Sequence, residues 1–173
     1  QNIYNLKTGT TSHIDTSAWP IIDKENEKIL ITSQVSNGEF PREIKLIVYN
    51  IDKNLNENEF TIKYDSPNEK PLEFVLSGDK VVWIQNDRLY LYDFKEKKET
   101  LLTKEQTGLE AIENRPYIRA LTINGNTAAY TKGLPGEVPH VFIIDIQNGT
   151  EKQISNNPTG GEYLQIDKDT IIW

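Results

Sequence analysis

Short apolar runs, each entered through a turn-forming residue, return along this chain with the spacing of one supersecondary unit. One series comprises Glu-Lys-Ile-Leu-Ile at 27–31, Asp-Lys-Val-Val-Trp at 79–83, Asn-Thr-Ala-Ala-Tyr at 126–130 and Asp-Thr-Ile-Ile-Trp at 169–173. Its first residues lie 52, 47 and 43 positions apart. A second series comprises Ile-Tyr-Asn-Leu at 3–6, Val-Tyr-Asn-Ile at 48–51, Leu-Tyr-Asp-Phe at 91–94 and Ile-Ile-Asp-Ile at 143–146, with its Asn or Asp returning after 45, 43 and 52 residues. Two independent series with matching mean periods mark an internal repeat.

Each unit reads as four short strands. Strand one covers 19–22, 72–76, 119–123 and 163–166; strand two is the first series; strand three is the second, extended to 45–49 and 88–92 in two units; strand four covers 11–14, 60–64, 100–103 and 152–155. These runs are rich in Ile, Val, Leu, Tyr and Thr, and many alternate with polar residues, as half-buried strands do. Lys-Thr-Gly at 7–9 and Gln-Asn-Gly at 147–149 supply the positive φ of a tight hairpin between strands three and four. Ser-Gly-Asp at 77–79 and Asn-Gly-Asn at 124–126 do the same between strands one and two. The best helical alternative, 104–114, lacks an apolar stripe and ends before Pro116, so it is granted one turn at most. The predicted fold class is all-β: four-stranded antiparallel blades of a β-propeller, in about four repeats.

The units divide into a half blade at 1–15, blades at 16–66, 67–104 and 105–156, and a half blade at 157–173, read together as one propeller domain. The chain begins and ends within a unit, and the two halves sum to one blade. Closing a ring through both termini hides edges that would otherwise pair with other chains. Two readings stay open: a small ring closed in that way, or part of a larger ring.

Leu-Tyr-Leu-Tyr-Asp at 89–93 followed by Glu-Thr-Leu-Leu-Thr at 99–103 resembles the TolB-type and related surface-protein β-propeller repeats, as do Ser-Gly-Asp-Lys-Val-Val-Trp at 77–83 and Glu-Lys-Gln-Ile-Ser-Asn-Asn-Pro at 151–158. The resemblance covers essentially the whole chain and is specific for the blade. It implies a propeller of bacterial or archaeal surface type, secreted, on the cell surface or periplasmic. Such repeats serve many unrelated proteins, so it implies no particular chemistry. The Pro-Ser-Asp-Gly element common in these blades is degraded to Leu-Ser-Gly-Asp at 76–79.

Composition narrows the function classes. Lys and Arg number 19 against 26 Asp and Glu, a net charge of -7 that opposes binding to phosphate backbones or anionic lipid. There is no cysteine, which excludes disulfides, thiolate metal sites and cysteine nucleophiles. No run approaches the apolar length of a membrane span. Gln1 at the start, with no Met anywhere, reads either as a trimmed product or as chance in an Ile-, Lys- and Asn-rich composition.

Candidate chemistry is sparse. His13 falls in an outer strand, where a solvated side chain is the expectation, and His140 follows the loop 133–139. Two histidines on different blades do not make a metal set. No Gly-x-Ser-x-Gly elbow occurs. Residues 52–58 (Asp-Lys-Asn-Leu-Asn-Glu-Asn) place oxygen side chains as in the first half of a calcium loop. Glu57 stands where glycine is needed and Lys63 where the closing Glu is needed, so a polar turn is expected. Asn148-Gly-Thr150 matches a glycosylation sequon and also an ordinary turn, and the turn is the stronger reading. Trp83, Tyr90, Tyr92, Tyr130, Phe142 and Trp173 recur at equivalent strand positions and are expected to pack between blades.

The irregular loops carry the functional expectation. Those at 34–42, 104–116 and 132–139 should gather on one face, giving Phe40, Arg42, Arg115, Tyr117, Glu137 and His140 as candidate contact residues. The expected function is a non-catalytic secreted or cell-surface module that binds or scaffolds a protein, peptide or other ligand, without cofactor or metal. Two other classes are the propeller of a larger, prolyl-oligopeptidase-like hydrolase whose catalytic domain lies outside this chain, and a propeller enzyme with a central-channel site. The last needs acids or histidines on inner strands, where strand one offers mainly Ile, Leu, Phe and Val.

Overall fold

The structure, a computed structural model, describes residues 2–5, 9–13, 20–35, 42–103, 116–155 and 163–173. Every regular element described is a strand, apart from one 3-10 turn at Pro67–Glu69. Among the described residues no helix is long and apolar enough to cross a membrane. The chain forms two compact units, Gln1–Lys70 and Pro71–Trp173.

In the first unit, β1 (Asn2–Asn5) and β2 (Thr10–His13) form an antiparallel hairpin. A four-stranded meander follows: β3 (Ile21–Asp23), β4 (Lys28–Val35), β5 (Arg42–Asn50) and β6 (Leu55–Tyr64). Cross-strand ion pairs, Lys45 with Glu59 at 2.8 Å and Lys63 with Glu43 at 3.1 Å, brace β5 against β6. The second unit contains the meander β7 (Leu72–Ser77), β8 (Lys80–Gln85), β9 (Arg88–Asp93) and β10 (Lys98–Leu101). A further meander runs β11 (Tyr117–Asn124), β12 (Thr127–Gly133), β13 (His140–Asp145) and β14 (Thr150–Gln153). The hairpin β15 (Gln165–Asp167) and β16 (Thr170–Ile172) closes it.

The two sequence series meet in space. Lys28 pairs with Asn50, Lys80 with Asp93 and Thr127 with Asp145, one register repeated in three sheets. Just beyond each pair, the backbone N–H of Ile51, Phe94 or Ile146 donates to the carbonyl of Glu27, Asp79 or Asn126, at 2.8–2.9 Å. The recurring Asn or Asp then caps the hairpin between strands three and four. Asn50 Oδ1 accepts from Lys53 N, Asp93 Oδ1 from Lys95 N and Glu96 N, and Asp145 Oδ1 from Gln147 N. The side chain thus satisfies amides that the ladder has released.

In β8 and β12, strand two is an unbroken apolar run because both its faces are covered. Val81, Val82, Trp83 and Ile84 are all buried in β8, as are Ala128, Ala129 and Tyr130 in β12. Val82, Ile84, Leu89 and Leu91 of one sheet pack with Ile118, Leu121, Ala128, Tyr130, Ile144 and Ile146 of the next. Ala129 points the other way, into a smaller cluster with Val141, Leu164 and Ile171. The outermost strand β14 exposes all four of its side chains.

Tyr130 and Phe142 join the core shared by two sheets, as expected of packing between blades, and the aromatic positions add a second contact. Trp83 stacks on Tyr90 (5.5 Å, 16°) and Tyr130 on Phe142 (5.9 Å, 17°), each pair being directly opposed strand-two and strand-three neighbours. The stack lies within a blade, because positions opposed across a ladder are the nearest ring partners. Trp173 is 47% exposed.

Inner strands carry a repeated bulge that no glycine announces. Pairing slips by one residue between Leu72 and Val75 in β7 and between Arg119 and Thr122 in β11, with Glu73 (φ 47) and Ala120 (φ 52) left-handed. Polar contacts stitch the two sheets along this side. Glu73 Oε2 accepts from Leu121 N at 3.0 Å, Ser77 Oγ accepts from Gly125 N at 3.0 Å, and Lys80 Nζ donates to Asn126 Oδ1 at 2.7 Å.

The hairpins between strands three and four all need one left-handed residue: Gly9 (φ 69), Asn54 (φ 55), Lys97 (φ 51) and Gly149 (φ 71). Lys97 is the costly occupant, since a Cβ disfavours this conformation. Lys97→Gly is expected to stabilise the fold by roughly 0.5–1 kcal/mol, the left-handed strain relieved less the added entropy of glycine. Chemical denaturation checks it; an unchanged or lowered midpoint would show that the turn carries no such strain.

Candidate functional site

In a four-stranded meander, one end carries the loop between strands two and three, the entry of strand one and the exit of strand four. In the β11–β14 sheet this end collects three of the six candidate residues. Tyr117, first residue of β11, opposes Gly133 at the end of β12, and its hydroxyl donates to the Glu137 carbonyl at 3.1 Å. Glu137 is exposed in the β12–β13 loop, whose turn is closed by Glu137 N donating to Leu134 O at 3.0 Å. His140 opens β13 opposite Lys132.

The loop folds back tightly. A Cβ on Gly133 would lie 3.0 Å from Pro139 Cα, so glycine is what lets the two ends of the loop approach. That leaves Leu134 (40%) and Val138 (49%) exposed on its outer side. Arg119 lies over the Tyr117 ring at 5.0 Å, a cation–π contact that holds an exposed guanidinium beside the loop. The equivalent connection between β8 and β9 is only the left-handed pair Asn86 and Asp87, the two-residue hairpin turn favoured by strand twist.

His140 is half-buried, and its Nδ1 lies 3.2 Å from Gln153 Nε2 and 3.4 Å from Ser155 Oγ. An amide nitrogen only donates, so Nδ1 is the acceptor in the Gln153 contact. A histidine beside a serine invites a catalytic reading, but the serine is otherwise engaged. Ser155 is 3% exposed and its Oγ accepts from Val141 N at 2.8 Å. Thr103 does the same for Leu89 N at 3.3 Å at the matching place in the preceding blade. A hydroxyl used in the same way in two repeats clamps neighbouring strand ends.

Deeper in the same sheet, the buried Tyr130 hydroxyl donates to Glu151 Oε1, and Lys132 pairs with that carboxylate at 3.1 Å while lying over Phe142. Burial, reinforced by the hydrogen bond and charge of Glu151, pushes the Tyr130 phenol well above its usual value. It therefore stays protonated and holds the strand.

The other candidates fall elsewhere. Arg42 lies in the first unit and is not a loop residue: it opens β5 opposite Tyr64, whose hydroxyl accepts from Gln34 Nε2 at 3.0 Å. Its strand runs further than its counterparts β9 and β13, which moves the expected loop position into the ladder. Gln34 is likewise part of β4. Phe40 and Arg115, with the loop 104–115, lie outside the described residues. Sequence reasoning missed Leu134, Val138 and Arg119; the run Leu-Pro-Gly-Glu-Val at 134–138, apolar at both ends of a turn, is the signal that could have found the first two.

The polar segment at 52–58 turns into β6, and several of its side chains pair with one another and with neighbouring residues. The Tyr49 hydroxyl donates to Asn54 Oδ1, and Glu57 accepts from Asn50 Nδ2 and Lys53 Nζ and pairs with Lys28 at 3.3 Å. The hydrogen bond from Lys53, partly opposed by burial and joined by Lys28, holds the Glu57 carboxyl below its usual value.

The chain matches no family model and no curated protein. Among solved structures it is similar to TolB from Acinetobacter baumannii, with a TM-score of 0.52 and 16% identity, covering 94% of this chain and 39% of that one. Its blades are propeller blades. The chain therefore spans well under half the length of the TolB chain. It is also similar to the extracellular domain of the putative hybrid two-component system BT4673 from B. thetaiotaomicron (TM-score 0.46, 11% identity, 96% of this chain and 28% of that one). A third likeness is to the N-terminal domain of Nup159 (TM-score 0.44, 15% identity, 79% and 33%).

Proposed function

We propose that this chain is a non-catalytic, exported or surface-exposed β-propeller module that binds a protein or peptide at the blade end carrying the β12–β13 loop. The observation that carries the reading is the contrast between homologous connections. A two-residue turn suffices to join β8 to β9, yet between β12 and β13 the chain builds a longer loop that exposes Leu134 and Val138 beside a stacked Tyr117–Arg119 pair. Exposed apolar side chains next to an aromatic and an arginine have the composition of contact hot spots. The net charge of -7 favours a protein partner over nucleic acid or anionic lipid. The exported location rests on the resemblance of the repeats to surface-protein propellers.

A photoreactive side chain placed at position 138, and in parallel at 97 in a hairpin at the opposite end of its blade, tests the reading in extracts of the source cells. The expected adduct forms from 138 and is lost on Leu134→Asp. Adducts formed only from 97, or indifferent to Leu134→Asp, would put the partner on the other end.

A further inference from the structure

Among the described residues, Asn124-Gly125 and Asn148-Gly149 join a carboxamide to a residue without a side chain, and both occupy tight turns. In such a pair the backbone nitrogen of glycine can attack the asparagine Cγ. The nitrogen loses its proton, an N–Cγ bond forms, and the side-chain nitrogen leaves as ammonia. Water then opens the cyclic imide at either carbonyl, giving aspartate or its β-linked isomer. The net change is the exchange of side-chain NH₂ for OH, with ammonia as by-product and no oxidant or reductant. Attack is hindered where the glycine N–H is held by an acceptor and the asparagine side chain is fixed.

The two turns are held by different parts of the molecule. In the β13–β14 hairpin every bond is internal: Gly149 N donates to Asp145 O at 2.8 Å, Asn148 Nδ2 donates to Asp145 Oδ2 at 2.7 Å, and Asn148 Oδ1 accepts from Thr150 N at 2.8 Å. In the β11–β12 hairpin the amide of Gly125 donates to Ser77 Oγ at 3.0 Å, a side chain of the preceding sheet. Water reaches both turns, since Gly125 and Asn148 are exposed and Asn124 is half-buried, so the difference between them lies in what holds the glycine amide.

We infer that Asn124 is a spontaneous deamidation site whose rate is set by Ser77 across the seam between two sheets, and that Asn148 is protected by its own turn. Local opening of the seam frees the Gly125 amide without unfolding either sheet. Conversion to the β-linked isomer adds a backbone methylene between β11 and β12, where Asn124 pairs with Thr127. The inner-strand register is thereby loosened at the turn.

The test is timed incubation of the purified chain at mildly alkaline pH, followed by peptide mapping by mass spectrometry. The wild type, Ser77→Ala and Ser77→Thr are compared, with circular dichroism confirming that each is folded. The expected result is that Ser77→Ala converts Asn124 several-fold faster, Ser77→Thr restores the slow rate by retaining a hydroxyl, and Asn148 converts equally slowly in all three. Equal rates at Asn124 in wild type and Ser77→Ala, or acceleration at both asparagines, would overturn the inference. Should Ser77→Ala not fold, the wild type and Ser77→Thr compared with and without denaturant decide it. Denaturation must accelerate Asn124, and an unchanged rate there would overturn the protection.

Discussion

Trp83→Ala is expected to cost about 3–5 kcal/mol of stability, the range for removing a large buried aromatic. Trp83 is fully buried, stacks on Tyr90, and donates its indole N–H to Gln85 Oε1 at 3.1 Å. Truncation removes the ring from β8 and opens a cavity beside Tyr90, and stability of a domain is itself only about 5–15 kcal/mol. Trp83→Phe should lose much less, because the matching stack in the next blade is Tyr130 on Phe142 and needs no indole. Equilibrium denaturation followed by circular dichroism measures both. If alanine and phenylalanine cost the same, the stack contributes nothing beyond the indole hydrogen bond.

Ser155→Ala comes second, at about 1–3 kcal/mol, the cost of leaving a buried donor without an acceptor. Val141 is fully buried, and its amide donates to the Ser155 hydroxyl. Ser155→Thr is expected to be close to neutral, since Thr103 performs the same task one blade earlier. A catalytic serine would behave otherwise, with little effect of alanine on stability. Thermal melts of the two variants therefore separate a clamp from a nucleophile; an alanine variant as stable as wild type would reopen the catalytic reading.

The repeat was readable because each series answers to a side-chain requirement. Asn50, Asp93 and Asp145 must present a short side-chain acceptor to the turn, and the run that opens at Glu27, Asp79 or Asn126 must supply buried apolar side chains. Where glycine takes the left-handed position, as at Gly9 and Gly149, the hairpin announces itself; Asn54 and Lys97 adopt the same backbone and do not. The inner bulges were illegible for the same reason, since Glu73 and Ala120 bend the strand without a permissive residue. Of the candidate site, the loop position could be read from its length. The partners of its side chains could not, because Tyr117 and Glu137 meet through a backbone carbonyl that any residue would supply. Arg42, expected in a loop, opens β5 because the first unit extends its ladder without changing its alternation, and alternation alone does not say where a strand stops.

The four exposed side chains of β14 bear on how these molecules behave in crowded solution. Thr150, Glu151, Lys152 and Gln153 lie along the free backbone rim of their sheet. A second molecule could add a strand there only by bringing its own chain against a carboxylate and an ammonium that would each lose water. A rim of this kind discourages sideways polymerisation, as charged edge strands do elsewhere. The sheet can thus end in solvent at β14, while Leu134 and Val138 place apolar surface at one end of the same blade.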